Sequence, residues 1–269
     1  MRKRLCTVLI IMSSLLLCAC TDLTLGNEVA TDEPQDTRDT VETVTDSSTE
    51  EPMGPTEPLH SELYLPQYSV DQIITYFDEI VLNTEFSDGT GDATLIQKWI
   101  EPLRYRIYGD PTEKDLEILT ELFSQLNEIN GFPGICAAEE GEYSNLTISF
   151  LDPDAFSAEF SEVINGEDAY GAVQFWYYTA TNEIYDAKIG YRTDIDQDTR
   201  ISVLLEEIVN VLGTSDTVLR EDSIVYQYSN DNLALSDVDQ IILKLLYDPE
   251  IKCGMNADRC GEIIRELYY

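Results

Sequence analysis

The chain is 269 residues long and carries 52 acidic against 16 basic side chains, for a formal charge of −36 and a single histidine, His60. Such a polyanion has no electrostatic affinity for nucleic acid or an anionic bilayer, and a site built from several imidazoles is excluded. The acid excess is compatible with attraction for cations, basic peptides or Ca²⁺, alongside the plainer role of solubility.

The first elements are an address and a spacer. Arg2, Lys3 and Arg4 precede an apolar run, Leu5 to Leu17, which is too short for a spanning helix and reads as an export signal over residues 1–19. It ends in Leu17-Cys18-Ala19-Cys20, the pattern of a bacterial lipoprotein signal, cleaved before Cys20, whose thiol then receives a diacylglyceryl group. An ordinary leader cut nearby, or an uncleaved anchor, are the alternatives; the order and spacing of basic, apolar and cysteine segments favour lipidation. With about 0.8 kcal/mol per buried methylene, two or more acyl chains hold a protein to the membrane. The expected location is therefore extracytoplasmic, lipid-anchored in a bacterial cell membrane or envelope. Residues 20–65, rich in Thr, Asp, Glu, Ser and Pro, cannot bury enough apolar surface to offset their ordering entropy. They are expected to be a disordered tether of roughly 40 Å, and His60 falls in it.

Residues 66–269 are long enough for one domain with a sizeable core. Ser69 to Leu82 has helical spacing, with Ser69 as N-cap and Ile73, Ile74, Phe77, Ile80 and Val81 on one face. After Pro102 the alternation to Tyr108 predicts a strand, and Gly109-Asp110-Pro111 a turn. Thr112 to Ile129 predicts a long helix with Leu116, Leu119, Leu122, Phe123 and Leu126 inward, ended by Asn130-Gly131. Leu146 to Leu151 reads as a strand, Asp154 to Ile164 as a short helix closed by Asn165-Gly166. Gly171 to Thr179 and Ile184 to Arg192 read as a hairpin turning near Thr181-Asn182. Thr199 to Leu212, Ser236 to Tyr247 and Cys260 to Tyr268 complete the helices. The order predicts an α+β fold with a small mixed sheet.

Three cysteines belong to the domain. Cys253 and Cys260 enclose a short loop containing Gly254, and a disulfide between them is expected for a chain outside the cytoplasm. Cys136 is then odd and is expected to be a buried thiol. Asp194, Asp196 and Asp198 resemble the start of an EF-hand loop, but the sixth position is Thr199 and the twelfth Leu205, so capping of the next helix is the better reading. In Phe175-Trp176-Tyr177-Tyr178 alternate rings should face opposite ways, two to the core and two to a surface that would suit a peptide or glycan.

Glu206-Glu207-Ile208-Val209-Asn210-Val211-Leu212-Gly213 has the frame of a zincin helix, H-E-x-x-H-x-x-G, without either histidine. With Ile96-Gln97-Lys98-Trp99, Asp222 to Tyr226, Leu235-Ser236, Asp239, Leu245 to Pro249 and Gly254-Met255, it makes residues 66–255 similar to a bacterial family of unknown function, number 2927, composed largely of chains read as lipoproteins. The same order resembles the zincin peptidases, especially metzincins. That resemblance implies a zincin-like single domain around a central helix, with Glu206 and Asn210 in the two histidine positions, Glu207 in the general-base position and Asp216 at the third ligand. These are oxygen donors, suited to a hard cation rather than catalytic zinc. Zinc peptidase activity and a metal or other cofactor are therefore not expected, with Ca²⁺ the alternative to a metal-free polar cluster. The leading expectation is an inactive zincin-like domain that binds a peptide, protein or envelope component. A non-zinc enzyme using Glu207 as acid or base and a Ca²⁺-loaded structural module are the other two.

Overall fold

The helices begin where the sequence supplies side-chain oxygens for the open amides of a first turn. The computed structural model describes residues 9–12, 63–82, 95–164 and 169–268, all within one compact unit. Helices α1 (Val70–Val81), α2 (Glu113–Asn127) and α6 (Asp237–Leu246) start at Ser69, Thr112 and Ser236, each in a reciprocal capping box with Gln72, Asp115 or Asp239. Asp152 and Asp196 cap α3 (Pro153–Glu159) and α5 (Gln197–Val211). The short α4 (Ser161–Ile164) and the final α7 (Ala257–Tyr268) complete the set. Among the described residues no helix is long and apolar enough to cross a membrane. Cys20, His60 and the Asn165-Gly166 terminator lie outside the described residues.

The sheet is larger than expected. Among the described residues seven strands, β1 (Leu9–Met12), β2 (Lys98–Trp99), β3 (Leu103–Gly109), β4 (Ile135–Ala137), β5 (Leu146–Leu151), β6 (Gly171–Tyr177) and β7 (Glu183–Arg192), run in the order β1-β6-β7-β5-β3-β4, with β2 on β7. Every pairing is parallel except the β6–β7 hairpin. The domain is thus a single mixed α/β unit with a mostly parallel sheet: the sheet is mixed, as expected, while its size and parallel crossovers correct the expected small sheet of an α+β fold. The cause is the connections: α2 and the α3–α4 pair separate strands that pair side by side, and a parallel pair needs such crossovers. The hairpin turns at Asn182, whose φ of 60° an asparagine tolerates.

One sheet face carries Leu146, Ile148, Phe150, Val173, Phe175, Ala187 and Ile189 into the main core, against α5. The helix is buried without a break from Arg200 to Val211, so it is central to the domain. A smaller apolar cluster of Phe156, Phe160, Val163 and Ile164 covers part of the opposite face. Gly190 is required beneath it, because a Cβ there would stand 2.2 Å from the Phe160 ring.

Three smaller expectations are corrected. Leu116 is 41 % exposed, because Asp115 is buried in the α2 interface and the inward stripe runs 115, 119, 122 and 126. Leu63 is buried and its carbonyl accepts from Tyr268 Oη at 2.5 Å, so packing begins a few residues before 66. Cys136 is exposed, on the outer strand β4.

Candidate functional site

The C-terminus of α5 is where the family-like segments converge. A helix end leaves its last carbonyls without intrahelical partners, and here side chains from three other segments take them. Trp99 Nε1 donates to Val211 O at 2.8 Å, Tyr247 Oη to Leu212 O at 2.9 Å and Thr214 Oγ1 to Val209 O at 3.0 Å. Gly213 N closes on Asn210 O. Gly213 has φ 107°, and a Cβ there would stand 2.0 Å from Gln97 O, so the chain passes β2 at backbone distance. The Gly254–Met255 turn is tied to the same strand entry, with Ile96 N donating to Met255 O and Gly254 N to Ile96 O. The segments 96–99, 206–213, 245–249 and 254–255 thus build one lock around the end of the central helix.

The remaining segment, residues 222–226, is fastened by Asp239. Its carboxylate accepts from Ser223 Oγ at 2.6 Å, Ile224 N at 3.0 Å and Ser236 N at 2.8 Å, and it caps α6 as it does so. Burial raises its pKa, opposed by those hydrogen bonds. The loop between α5 and α6 is therefore held by one buried acid, with Thr217 and Tyr226 in a bridge beyond it.

Just below the lock lie Glu206, Glu207, Asn210 and Asp216, the positions singled out by the zincin resemblance. Asn210, fully buried, donates from Nδ2 to Asp216 Oδ1 at 2.8 Å, and its Oδ1 accepts from Thr214 Oγ1 at 3.2 Å. Asn210 and Asp216 therefore meet. Glu206 and Glu207 are also buried, on the preceding turn of α5. Glu207 lies against the first residue of β6: a Cβ on Gly171 would stand 2.6 Å from Glu207 Oε1. The glycine at the start of β6 is what makes room for this carboxylate.

These residues do not fit a zinc ion. The set has no imidazole or thiolate, and the Asn210 amide is engaged at both ends by Asp216 and Thr214 instead of being turned to a common centre. Among the described residues no group of three or more His, Cys, Asp or Glu side chains is placed to share a metal.

The expected Cys253–Cys260 bridge is not formed. Both are free thiols: Cys253 Sγ is directed at Lys98 O, 3.6 Å away, while Cys260 is packed into the core on α7. Burial pushes the Cys260 thiol up to about 12. Lys98 is buried beside them, donating to Leu246 O at 2.7 Å and Ile251 O at 2.5 Å, and burial lowers it to about 8. These bonds fix the turn after α6. The Asp194-Asp196-Asp198 run divides into a cap and an ion pair: Asp196 accepts from Thr199 N, and Asp194 takes the Arg192 guanidinium, whose hydrogen bonds hold it below the usual carboxylate range.

Sequence reasoning missed Trp99 and Tyr247 as caps of α5, and the Asp115–Gln197–Arg200 contact that joins α2 to α5, with Gln197 Nε2 at 2.7 Å and Arg200 Nε at 3.6 Å from Asp115 Oδ1. No local pattern marks them: Gln197 stands between Asp196 and Asp198, Asp115 follows Lys114 and Trp99 follows Lys98. A buried polar group must find a partner, but the sequence does not say which.

A mostly parallel α/β domain whose central helix carries a buried amide and carboxylates is the class that fold and site define. The chain belongs to the family described as protein of unknown function (DUF2927), which it matches over residues 70–266. No curated protein matches it.

Proposed function

We propose that this is a membrane-tethered extracytoplasmic lipoprotein whose zincin-like domain is catalytically inactive and binds an extended peptide or protein segment along β6. The observation that carries the reading is the pairing of Leu9–Met12 alongside Gln174–Tyr177, a strand laid in parallel on the outer side of β6. An edge strand presents unpaired amides and carbonyls, which is how many domains hold peptides. In the lipoprotein reading Leu9–Met12 leaves with the leader, and that edge becomes available to another chain.

The zincin-like part of the reading is supported by the arrangement of β6. It runs antiparallel to β7 and packs beside α5, with Glu207 under its first residue. The hydrogen-bonded Asn210–Asp216 pair supports inactivity, because a dedicated internal bond occupies the groups that would otherwise face a metal. Selection from a random-peptide display library by the chain begun at Cys20 tests the proposal. Enrichment of extended, β-branched sequences that compete with a soluble peptide carrying Leu9–Met12 is the expected result. No enrichment over the same chain unfolded by heat overturns it.

A further inference from the structure

Among the described residues, the sheet face turned away from α5 is only partly covered. Phe160 and its neighbours lie over Gly190, but towards the β6–β7 turn the face is open and aromatic. Tyr178 is 45 % exposed, and its ring stacks on Tyr185 with centroids 4.4 Å apart. Asp186 stands opposite Trp176 across the hairpin and accepts a hydrogen bond from the hydroxyl of Tyr143, which is 70 % exposed.

Tyr143 comes from a fixed loop. Arg106 Nη2 donates to Glu139 O at 3.0 Å and Glu142 O at 2.9 Å, and Asn145 Oδ1 accepts from Arg104 N at 2.6 Å. The rings are thus presented on a scaffold already ordered, so a ligand pays little to immobilise them.

The charge on this face differs from that of the whole chain. Strands β3 and β7 set Arg104, Arg106 and Lys188 on the same side as Asp186, by register through Thr147. Each of these cations is engaged, Lys188 at Glu159 O and over the Phe160 ring, Arg104 near Glu142. A basic peptide has no electrostatic advantage here, although the chain as a whole carries −36. What remains is a set of flat apolar rings bordered by hydrogen-bonding groups that both donate and accept. A pyranose is complementary to that set, with a C–H face for the rings and a rim of hydroxyls for the polar groups.

We infer that the open face around Tyr143, Tyr178, Tyr185 and Asp186 is a binding platform for an uncharged glycan, a second surface independent of the β6 edge. The test is titration of the full chain in detergent with chitohexaose and with cellohexaose, followed by intrinsic fluorescence. At least one oligosaccharide should bind, and Tyr178→Ala and Tyr143→Ala should each weaken it about tenfold, the scale of one aromatic contact. Leu219→Ala and Tyr228→Ala, which remove exposed apolar side chains on the α5–α6 loop, should leave it unchanged. All four positions are solvent-exposed, and unchanged thermal melting separates lost binding from lost folding. The inference is overturned if neither oligosaccharide binds, if Tyr178→Ala binds like the wild type, or if a lysine-rich peptide rather than a sugar binds and is lost in Tyr178→Ala.

Discussion

Replacing Asn210 with alanine perturbs the buried polar cluster at the end of α5. The side chain is fully buried, donates to Asp216 at 2.8 Å and accepts from Thr214 at 3.2 Å. A hydrogen bond to a charged group is worth about 1.5–3 kcal/mol and a neutral one about 1 kcal/mol, and Asp216 is itself buried, so it would lose its amide donor where water cannot readily replace it. The expected loss of unfolding free energy is about 3 kcal/mol. At about 2–4 °C per kcal/mol for a domain of this size, the melting temperature falls by about 6–12 °C. Urea denaturation of Asn210→Ala, Asp216→Ala and the double variant measures it, and the cycle should show coupling of at least about 1 kcal/mol. A single-variant loss below about 0.5 kcal/mol with no coupling would refute the idea that this pair is a local structural tie.

Other consequences are as direct. Gly213→Ala should cost about 3 kcal/mol or more, adding displacement of the Gln97 carbonyl to the roughly 1–2 kcal/mol of left-handed strain. Gly141→Ala, also at positive φ but with nothing within 4 Å of its Cβ, should cost only the strain, and equal urea midpoints for the two variants would contradict the lock. Asp78 is raised to about 6, first by burial and then by Asp258 and Glu79. Its stability contribution is therefore fully present below about 3.8 and is lost as pH rises through about 6. Asp78→Asn should accordingly melt higher than the wild type above that range and lose the advantage at acid pH; a gain that does not change with pH would contradict the assignment. A thiol reagent should label exposed Cys136 in the native protein and reach buried Cys260 only on unfolding, with no disulfide detected by mass; protection of Cys136 would contradict the placement of β4. EDTA and added Ca²⁺ should both leave the melting temperature unchanged, whereas a rise with Ca²⁺ would favour the cation-loaded alternative.

Much of the fold is legible in the sequence where local chemistry decides it. Ser69, Thr112 and Ser236 stand three residues before a side chain that completes a capping box, and all three helices begin there. The alternation in residues 171–192 and the turn at Asn182 specify the hairpin, and Phe175 and Tyr177 point inward while Tyr178 is exposed. What depends on distant partners is not legible. Strands β2 and β4 are two and three residues long, too short for any period to show, and exist because β7 and β3 offer them a ladder. Leu116 sits on the apolar stripe, yet a buried Asp115 bound to Gln197 and Arg200 turns α2 away from it. The Cys253–Cys260 spacing allows a bridge, but Cys260 is held inside a helix that begins at Ala257. At the candidate site, Glu206, Glu207 and Asn210 are visible as a motif, whereas the hydrogen bond from Asn210 to Asp216 is seen only in the structure. The use of Trp99 and Tyr247 as caps for the same helix required the tertiary structure.

The most direct measurement is amide hydrogen exchange on the chain begun at Cys20, with and without a soluble peptide carrying Leu9–Met12. Binding along β6 predicts that amides within residues 171–177 exchange faster without the peptide and slow when it is added, with the buried helix from Arg200 to Val211 protected throughout. Unchanged exchange over 171–177, or protection that appears on another element instead, would contradict it.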